Sequence, residues 1–201
     1  MKITRDEDQN AAMEAALPIL PTIHDILSES VDFYFSDVGY SARARAEHDS
    51  RAMKKCIDAH AETRALAAEE CISGYHILDV RGMKLINFRD QAVFRLKSVD
   101  ADGNHRNYQT AQQKAFDYQL PLDGLPEPAI RLIAGYELDA VGAGLKRVLI
   151  ARRIGQDVVW TAQVNVDEST AAWEDITPRR FGFGSDVIDF EAIREQGRRR
   201  V

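Results

Sequence analysis

Apolar and polar residues alternate along three consecutive stretches, 129–138, 145–154 and 158–166, and turn-forming residues separate them. In the first, Ile130, Leu132, Ala134, Tyr136 and Leu138 recur at every second position, which places them on one strand face and disfavours a helix. The three stretches predict an antiparallel meander. Gly142-Ala143-Gly144 joins two of them as a hairpin turn and lacks the following helix N-terminus that a pyrophosphate cradle requires. Two further strands, 84–88 and 92–99, are predicted around Arg89-Asp90-Gln91 as a hairpin. Phe94 and Leu96 face one way there and Arg95 and Lys97 the other, the pattern of a sheet with one wet face.

Upstream the spacing becomes helical. Pro21 followed by Thr22 and Asp25 predicts a helix start near Thr22, with Ile23, Ile26, Leu27, Ser30, Phe33 and Tyr34 as its buried stripe and Gly39 as its end. Residues 1–9 read as a polar, frayed start. From Ser41 to about Ile72 the chain has no Gly or Pro and is rich in Ala, Arg, Glu and Lys, predicting a long helix that buries Met53, Ile57, Ala61, Ala68 and Ile72. A turn over 100–104, a short helix over 110–118 and a Pro/Gly-rich connector over 120–128 lead into the meander. Beyond Asp167 the pattern weakens to a loop over 178–184, a short helix over 189–196 and a basic end. Its Trp173, Phe181, Phe183 and Phe190 suit docking on the body.

These elements predict an α+β fold, with an N-terminal helical layer packed on an antiparallel sheet of about five strands built from hairpins and a C-terminal meander. Residues 1–166 are expected to form a single domain, helical over 11–73 and mainly β over 77–166, with 167–201 as a partly ordered C-terminal appendage. Helices gathered before strands argue against a parallel βαβ arrangement.

Composition narrows the classes. A chain of 201 residues with 45% apolar content supports a real core and excludes a disordered protein. The apolar run 15–20 is interrupted by Pro18 and preceded by Glu14, so it reads as neither signal peptide nor membrane span. With only Cys56 and Cys71, no disulfide scaffold is expected, and the expectation is a bacterial cytoplasmic protein with no membrane partner. The net charge of −6 sits in residues 1–40, which hold 8 acids and 2 bases, while the remainder balances 24 acids with 24 bases. That distribution disfavours a nucleic-acid footprint over the whole protein and leaves nucleic acid only a local basic patch.

Four constellations offer chemistry. Cys56 and His60 with Cys71 and His76 have the ligand types for zinc, but Cys71 follows His60 by 11 residues, about 16 Å along a helix, too far for one tetrahedral ion. No metal or cofactor is expected. His105, Arg106 and Tyr108, with Asn107 between them, offer a base, a phosphorane-neutralising cation and a proton donor of the kind metal-independent ribonucleases use. Against that stands a solvated loop. The basic set Arg95, Lys97, Arg131, Lys146, Arg147, Arg152 and Arg153 suits phosphate or an acidic partner surface, although Arg152 alternates to the face opposite Arg147 and Arg153. Finally, Glu14, Asp25, Glu29, Asp32 and Asp37 form an acidic helical face suited to a basic protein. Walker, Gly-x-Ser-x-Gly, His-Glu-x-x-His and EF-hand patterns are all absent from the sequence, and a metal nuclease around Asp79 and Arg95-Leu-Lys97 lacks its second carboxylate.

The expectation is therefore a non-enzymatic interaction or regulatory protein that binds a protein partner through an acidic helical face or a basic sheet face. By format alone it suits a component of a toxin–antitoxin or phage-defence locus. A small ribonuclease-like toxin using His105, Arg106 and Tyr108 is the alternative.

Overall fold

The structure is a computed structural model that describes residues 2–36, 50–105, 110–127, 129–142, 144–167, 170–178 and 187–200. Its elements run β1 (Lys2–Thr4), α1 (Arg5–Ala16), a 3-10 turn (Leu17–Ile19), α2 (Leu20–Phe35), α3 (Ser50–Ala68), β2 (Tyr75–Val80), β3 (Met83–Phe88), β4 (Ala92–Ser98) and α4 (Ala111–Asp117). They continue as β5 (Ile130–Leu138), β6 (Leu145–Ile154), β7 (Asp157–Asp167), β8 (Thr170–Asp175), β9 (Val187–Asp189) and α5 (Phe190–Arg200).

The fold is α+β, and the meander β5-β6-β7 is antiparallel, with Ala134 opposite Ile150 and Ile150 opposite Ala162. Two expectations need correction. Among the described residues the main sheet has seven strands, in the order β2-β3-β4-β5-β6-β7-β8, rather than about five. It is mixed rather than antiparallel, because β4 pairs parallel to β5, from Ala92 beside Ile130 to Ser98 beside Tyr136. The crossover contains α4 and is long enough to return the chain in the same direction, so one β-α-β unit exists despite the grouping of helices before strands. The sheet also continues past Asp167, since β8 pairs with β7 from Asp167 beside Thr170 to Ala162 beside Asp175. β1 and β9 form a separate two-stranded sheet.

Both faces of the sheet are covered. On the first, Phe94, Leu132, Ala134, Tyr136, Ile150, Trp160 and Ala162 pack against Met13, Leu20, Ile23, Leu27, Ile57 and Ala61 of the helices. Most of the expected stripes of α2 and α3 bury here, whereas Phe33 is half-buried against His60 and Ile72 lies past the end of α3. Helix α2 begins at Leu20 rather than Thr22 and has no side-chain cap, whereas Thr4 and Glu7 form a capping box for α1, so residues 5–9 are helix rather than a frayed start. Helix α3 ends at Ala68 and the chain turns back through Gly74, at φ +79°, into β2. The expected start of that helix over 41–49, and Gly39, lie outside the described residues.

The second face was expected to be wet at Arg95 and Lys97. Instead Val93, Ile133, Leu149 and Ala151 pack there against Phe116 of α4 and against Val80, Met83, Leu85 and Val99. Gly135 allows this close cover, because a Cβ at that position would stand 2.5 Å from a Val99 methyl. None of the described helices is long and apolar enough to cross a membrane.

Candidate functional site

The β3–β4 hairpin turns on Arg89 and Asp90, both at positive φ, and pairs only Ile86 with Phe94, Asn87 with Val93 and Phe88 with Ala92. Beyond Phe94 the two strands part, while β4 stays paired to β5. This fork leaves Arg95 and Lys97 beside carboxylates from both helical layers. Lys97 Nζ donates to Asp58 Oδ2 of α3 at 3.0 Å, and the Tyr136 hydroxyl donates to Asp58 Oδ1 at 3.1 Å. Arg95 feels Asp117 of α4 and Asp58 and Glu62 of α3, although burial is the larger influence and lowers its guanidinium below the usual range.

A cleft of about 610 Å³ opens where the carboxyl ends of the parallel strands β4 and β5 meet the first turns of α3. Parallel strands commonly present ligand sites beyond these ends. Arg51, Lys54, Lys55 and Asp58 form its helical wall, and Lys97, Ser98, Asp100, Asn104 and Glu137 form the other. Most of the acid in this wall is engaged. Asp58 is held by Lys97 and Tyr136, Glu137 accepts from Lys146 at 3.0 Å and Arg147 at 2.5 Å, and Asp100 accepts backbone N–H groups of Asp102 and Asn104. Lys54 and Lys55 are exposed and make no ion pair among the described residues. Among the described residues, the rim therefore carries the unpaired charges of Lys54 and Lys55 beside a polar floor.

A second polar group lies on the α4-covered face. The turn 100–104 folds onto the sheet, where a Cβ at Gly103 would stand 2.9 Å from Thr161 Oγ1 and 3.1 Å from Ala151 Cβ. It delivers His105, whose two ring nitrogens are buried and unpartnered among the described residues. Thr110 caps α4, which carries Gln113 and Asp117 inward at 2% exposure each, with Gln113 Nε2 donating to both Asp117 oxygens at 2.8 Å. Burial raises the Asp117 carboxyl to about 6, and the Gln113 hydrogen bond, Arg153 and Arg95 restrain that rise. Burial, followed by the charges of Arg153, Arg95 and Lys97, lowers the His105 imidazole to about 3.

The seven basic residues expected to share a binding face serve different ends. Arg131 is 3% exposed and donates to the carbonyls of Ala115 and Leu120, pinning the end of α4. Arg152 is 4% exposed, donates to Gln119 Oε1 and the Arg131 carbonyl, and lies 3.5 Å from Asp8. Arg153 is 6% exposed, giving one hydrogen bond to the Gln156 carbonyl and leaving Nε and Nη1 unpartnered. Lys146 and Arg147 close on Glu137 at the sheet end, and Arg147 also reaches the Ala101 carbonyl at 3.2 Å. An open basic sheet face therefore does not exist at Arg131, Arg152 and Arg153; of the expected set, Lys97 alone lines the cleft.

The remaining candidates also separate. Arg106 and Tyr108 lie outside the described residues, and an imidazole held neutral down to about 3 is poorly matched to proton transfer near neutrality. Cys71 is exposed beyond the end of α3, and His60 stacks on Phe33 and lies 3.0 Å from Ser30 Oγ. No group of three metal-ligating side chains gathers among the described residues. On the acidic face, Glu29 pairs with Arg64, Asp25 lies 3.6 Å from His24, Glu14 and Asp32 are exposed, and Asp37 falls outside the described residues.

Sequence reasoning missed Arg51, Lys54, Lys55 and Asp58, whose spacings of three and four mark one helix surface, and the Gln113–Asp117 pair four apart on α4. Comparison with known proteins gives no match to a protein-family model, to a curated protein or to a solved structure.

Proposed function

We propose that the protein is a non-enzymatic interaction protein that docks an acidic segment of a protein partner in the cleft between α3 and the carboxyl ends of β4 and β5. The observation that carries this reading is that Lys54 and Lys55, without an ion pair among the described residues, stand on the rim of a cleft large enough for several side chains. Positive charge at a solvated rim accelerates encounter with an acidic surface and selects against basic ones. The net negative charge of the whole chain opposes sequence-independent binding of nucleic acid, whose affinity depends on many phosphate contacts. The acidic face of α1 and α2 is the weaker docking surface, since part of its charge is already opposed by Arg64.

The test is affinity purification of tagged wild-type protein and the Lys54→Glu/Lys55→Glu variant from the native host, with identification of protein and nucleic acid in each eluate. The expected result is a protein partner that salt weakens and the double variant loses, with the unfolding midpoint unchanged. Equal recovery by both forms, or selective loss of nucleic acid instead, refutes the reading.

A further inference from the structure

We propose that Arg95, His105, Gln113, Asp117 and Arg153, gathered between α4 and the second face of the sheet, form a phosphate-binding site. This inference stands independently of the partner assigned to the cleft. Arg95 comes from β4 and Arg153 from β6, with β5 between them, so the two guanidinium groups approach from backbones about 10 Å apart. Helix α4 packs on this face through Phe116 and the 100–104 turn through Gly103, so Asp117 and His105 come to the same side of the sheet as the two cations and within electrostatic range of both, and Gln113 is bonded to Asp117.

The atoms left over define the ligand. Arg95 Nη1, Arg153 Nε and Arg153 Nη1 are buried donors without a partner among the described residues; Gln113 Oε1 is a buried acceptor without one, and both His105 ring nitrogens are likewise unpartnered. Burying a polar group without a partner destabilises the fold, so four side chains with such atoms concentrated here are not explained by packing. Two guanidiniums from separate strands fit a tetrahedral oxyanion, which offers oxygens in several directions, better than they fit a planar carboxylate. The free Gln113 acceptor adds a second requirement, because the ligand must also carry a hydrogen-bond donor. A phosphate monoanion or protonated phosphate has a P–OH for that acceptor; sulfate has none. A neutral imidazole contributes one donor and one acceptor, and both match the same group. Asp117 repels a fully ionised dianion and reinforces selection for the form that retains a proton.

The cleft beside α3 adjoins the site along the chain. Lys97 and Asn104 line that cleft, two residues from Arg95 and one from His105 respectively. The shared chemistry is a phosphate group, either free or terminating a larger molecule.

The test uses the full chain in phosphate-free buffer, titrated with inorganic phosphate, sulfate and a nucleoside monophosphate, read by calorimetry, by the unfolding midpoint and by the His105 ring resonances. Saturable binding of inorganic phosphate below about 10 mM, at least about tenfold tighter than sulfate, is the expected result. Binding moves the His105 resonances and raises its pKa, and Arg153→Met abolishes both effects while retaining the far-ultraviolet circular dichroism of the fold. If that variant fails to fold, Arg95→Met supplies the same comparison. Preference for the nucleoside monophosphate identifies an esterified ligand, and preference for inorganic phosphate a free one, each supporting the site. No phosphate response in the wild type, an equal response to sulfate, or an undiminished response in a folded Arg variant overturns it.

Discussion

The two faces of the sheet bury their polar groups in opposite ways. On the face covered by α1, α2 and α3, a broad apolar layer surrounds Trp160, and most of the polar groups at its edge answer one another: the indole Nε1 donates to Asp8 Oδ2 at 2.8 Å, while Arg152 Nε lies 3.5 Å from the same carboxylate without a hydrogen bond. On the face covered by α4 and the 100–104 turn, the apolar layer is smaller, and Arg95, His105, Gln113 and Arg153 retain unpartnered atoms. A paired buried network fixes a fold, whereas an unpaired one costs stability and is retained where something else uses it. The first face therefore reads as the stabilising half of the molecule and the second as the half organised for a ligand.

The largest break in that contrast comes from Trp160→Ala. It removes a fully buried ring and leaves Asp8 without its indole donor, with an expected loss of about 3–5 kcal/mol by denaturant unfolding. A loss below about 1 kcal/mol would show that the first face does not hold the fold.

Arg152 and Arg153 are adjacent in sequence, similarly buried, and part of the opposing networks, so they compare the faces directly. Arg152→Met deprives Asp8, Gln119 and the Arg131 carbonyl of their cation and is expected to cost about 3 kcal/mol. Arg153→Met removes one hydrogen bond to a backbone carbonyl together with an incompletely paired charge, and its expected change is within about 1 kcal/mol of zero. Equal losses in the two variants would erase the distinction between structural and ligand-directed burial.

This contrast explains what the sequence disclosed. Strands β5, β6 and β7 were legible because their alternation matches the pleat, and α2 and α3 because their apolar stripes are long. Strand β2 was not, since His76 and Asp79 interrupt its apolar positions and its edge place in the sheet leaves them exposed to water. Parallel pairing of β4 with β5 has no local signature at all; it follows from where the α4 crossover returns the chain. At the site, His105 was visible as a chemically capable residue, but Arg95 looked solvated because alternation reports which side a residue takes and not what covers that side. Gln113 and Asp117 matter only once α4 lies against Arg95 and Arg153, a tertiary fact.

The second face should also carry opposing pH dependences. Asp117 is raised to about 6 in the folded protein, so the native state binds its proton more tightly than the unfolded chain, and this contribution to stability falls as pH rises from about 4 to 6. His105 is lowered to about 3, so the unfolded chain takes up the proton first, and this contribution is lost as pH falls from about 6.5 to about 3, a window that contains that of Asp117. Between pH 4 and 6 each changes by about 2–3 kcal/mol, in opposite directions, so over that range the two largely cancel in the wild type. Relative to wild type, Asp117→Asn is expected to make stability rise from pH 4 to 6, and His105→Gln to make it fall over the same range. Urea midpoints across that range are the measurement, and parallel profiles for all three proteins would show that these groups are not buried together.

The smallest effect asks whether the 100–104 turn truly closes the second face. Gly103 and Gly82 both sit at positive φ, +78° and +85°, so alanine strains each backbone by a similar amount, about 1 kcal/mol. A Cβ at Gly82 meets nothing within 4 Å, whereas one at Gly103 meets Thr161 Oγ1 at 2.9 Å and Ala151 Cβ at 3.1 Å. Gly103→Ala is therefore expected to lose about 1 kcal/mol more than Gly82→Ala, because the turn must lift from β6 and β7 to admit the methyl group. That lift would also open His105 to water and bring its pKa upward, a change readable from its ring resonances even where the stability difference is small. Identical losses, with His105 unmoved, would mean that the turn only borders the sheet, and the protection of the second face would then rest on α4 alone.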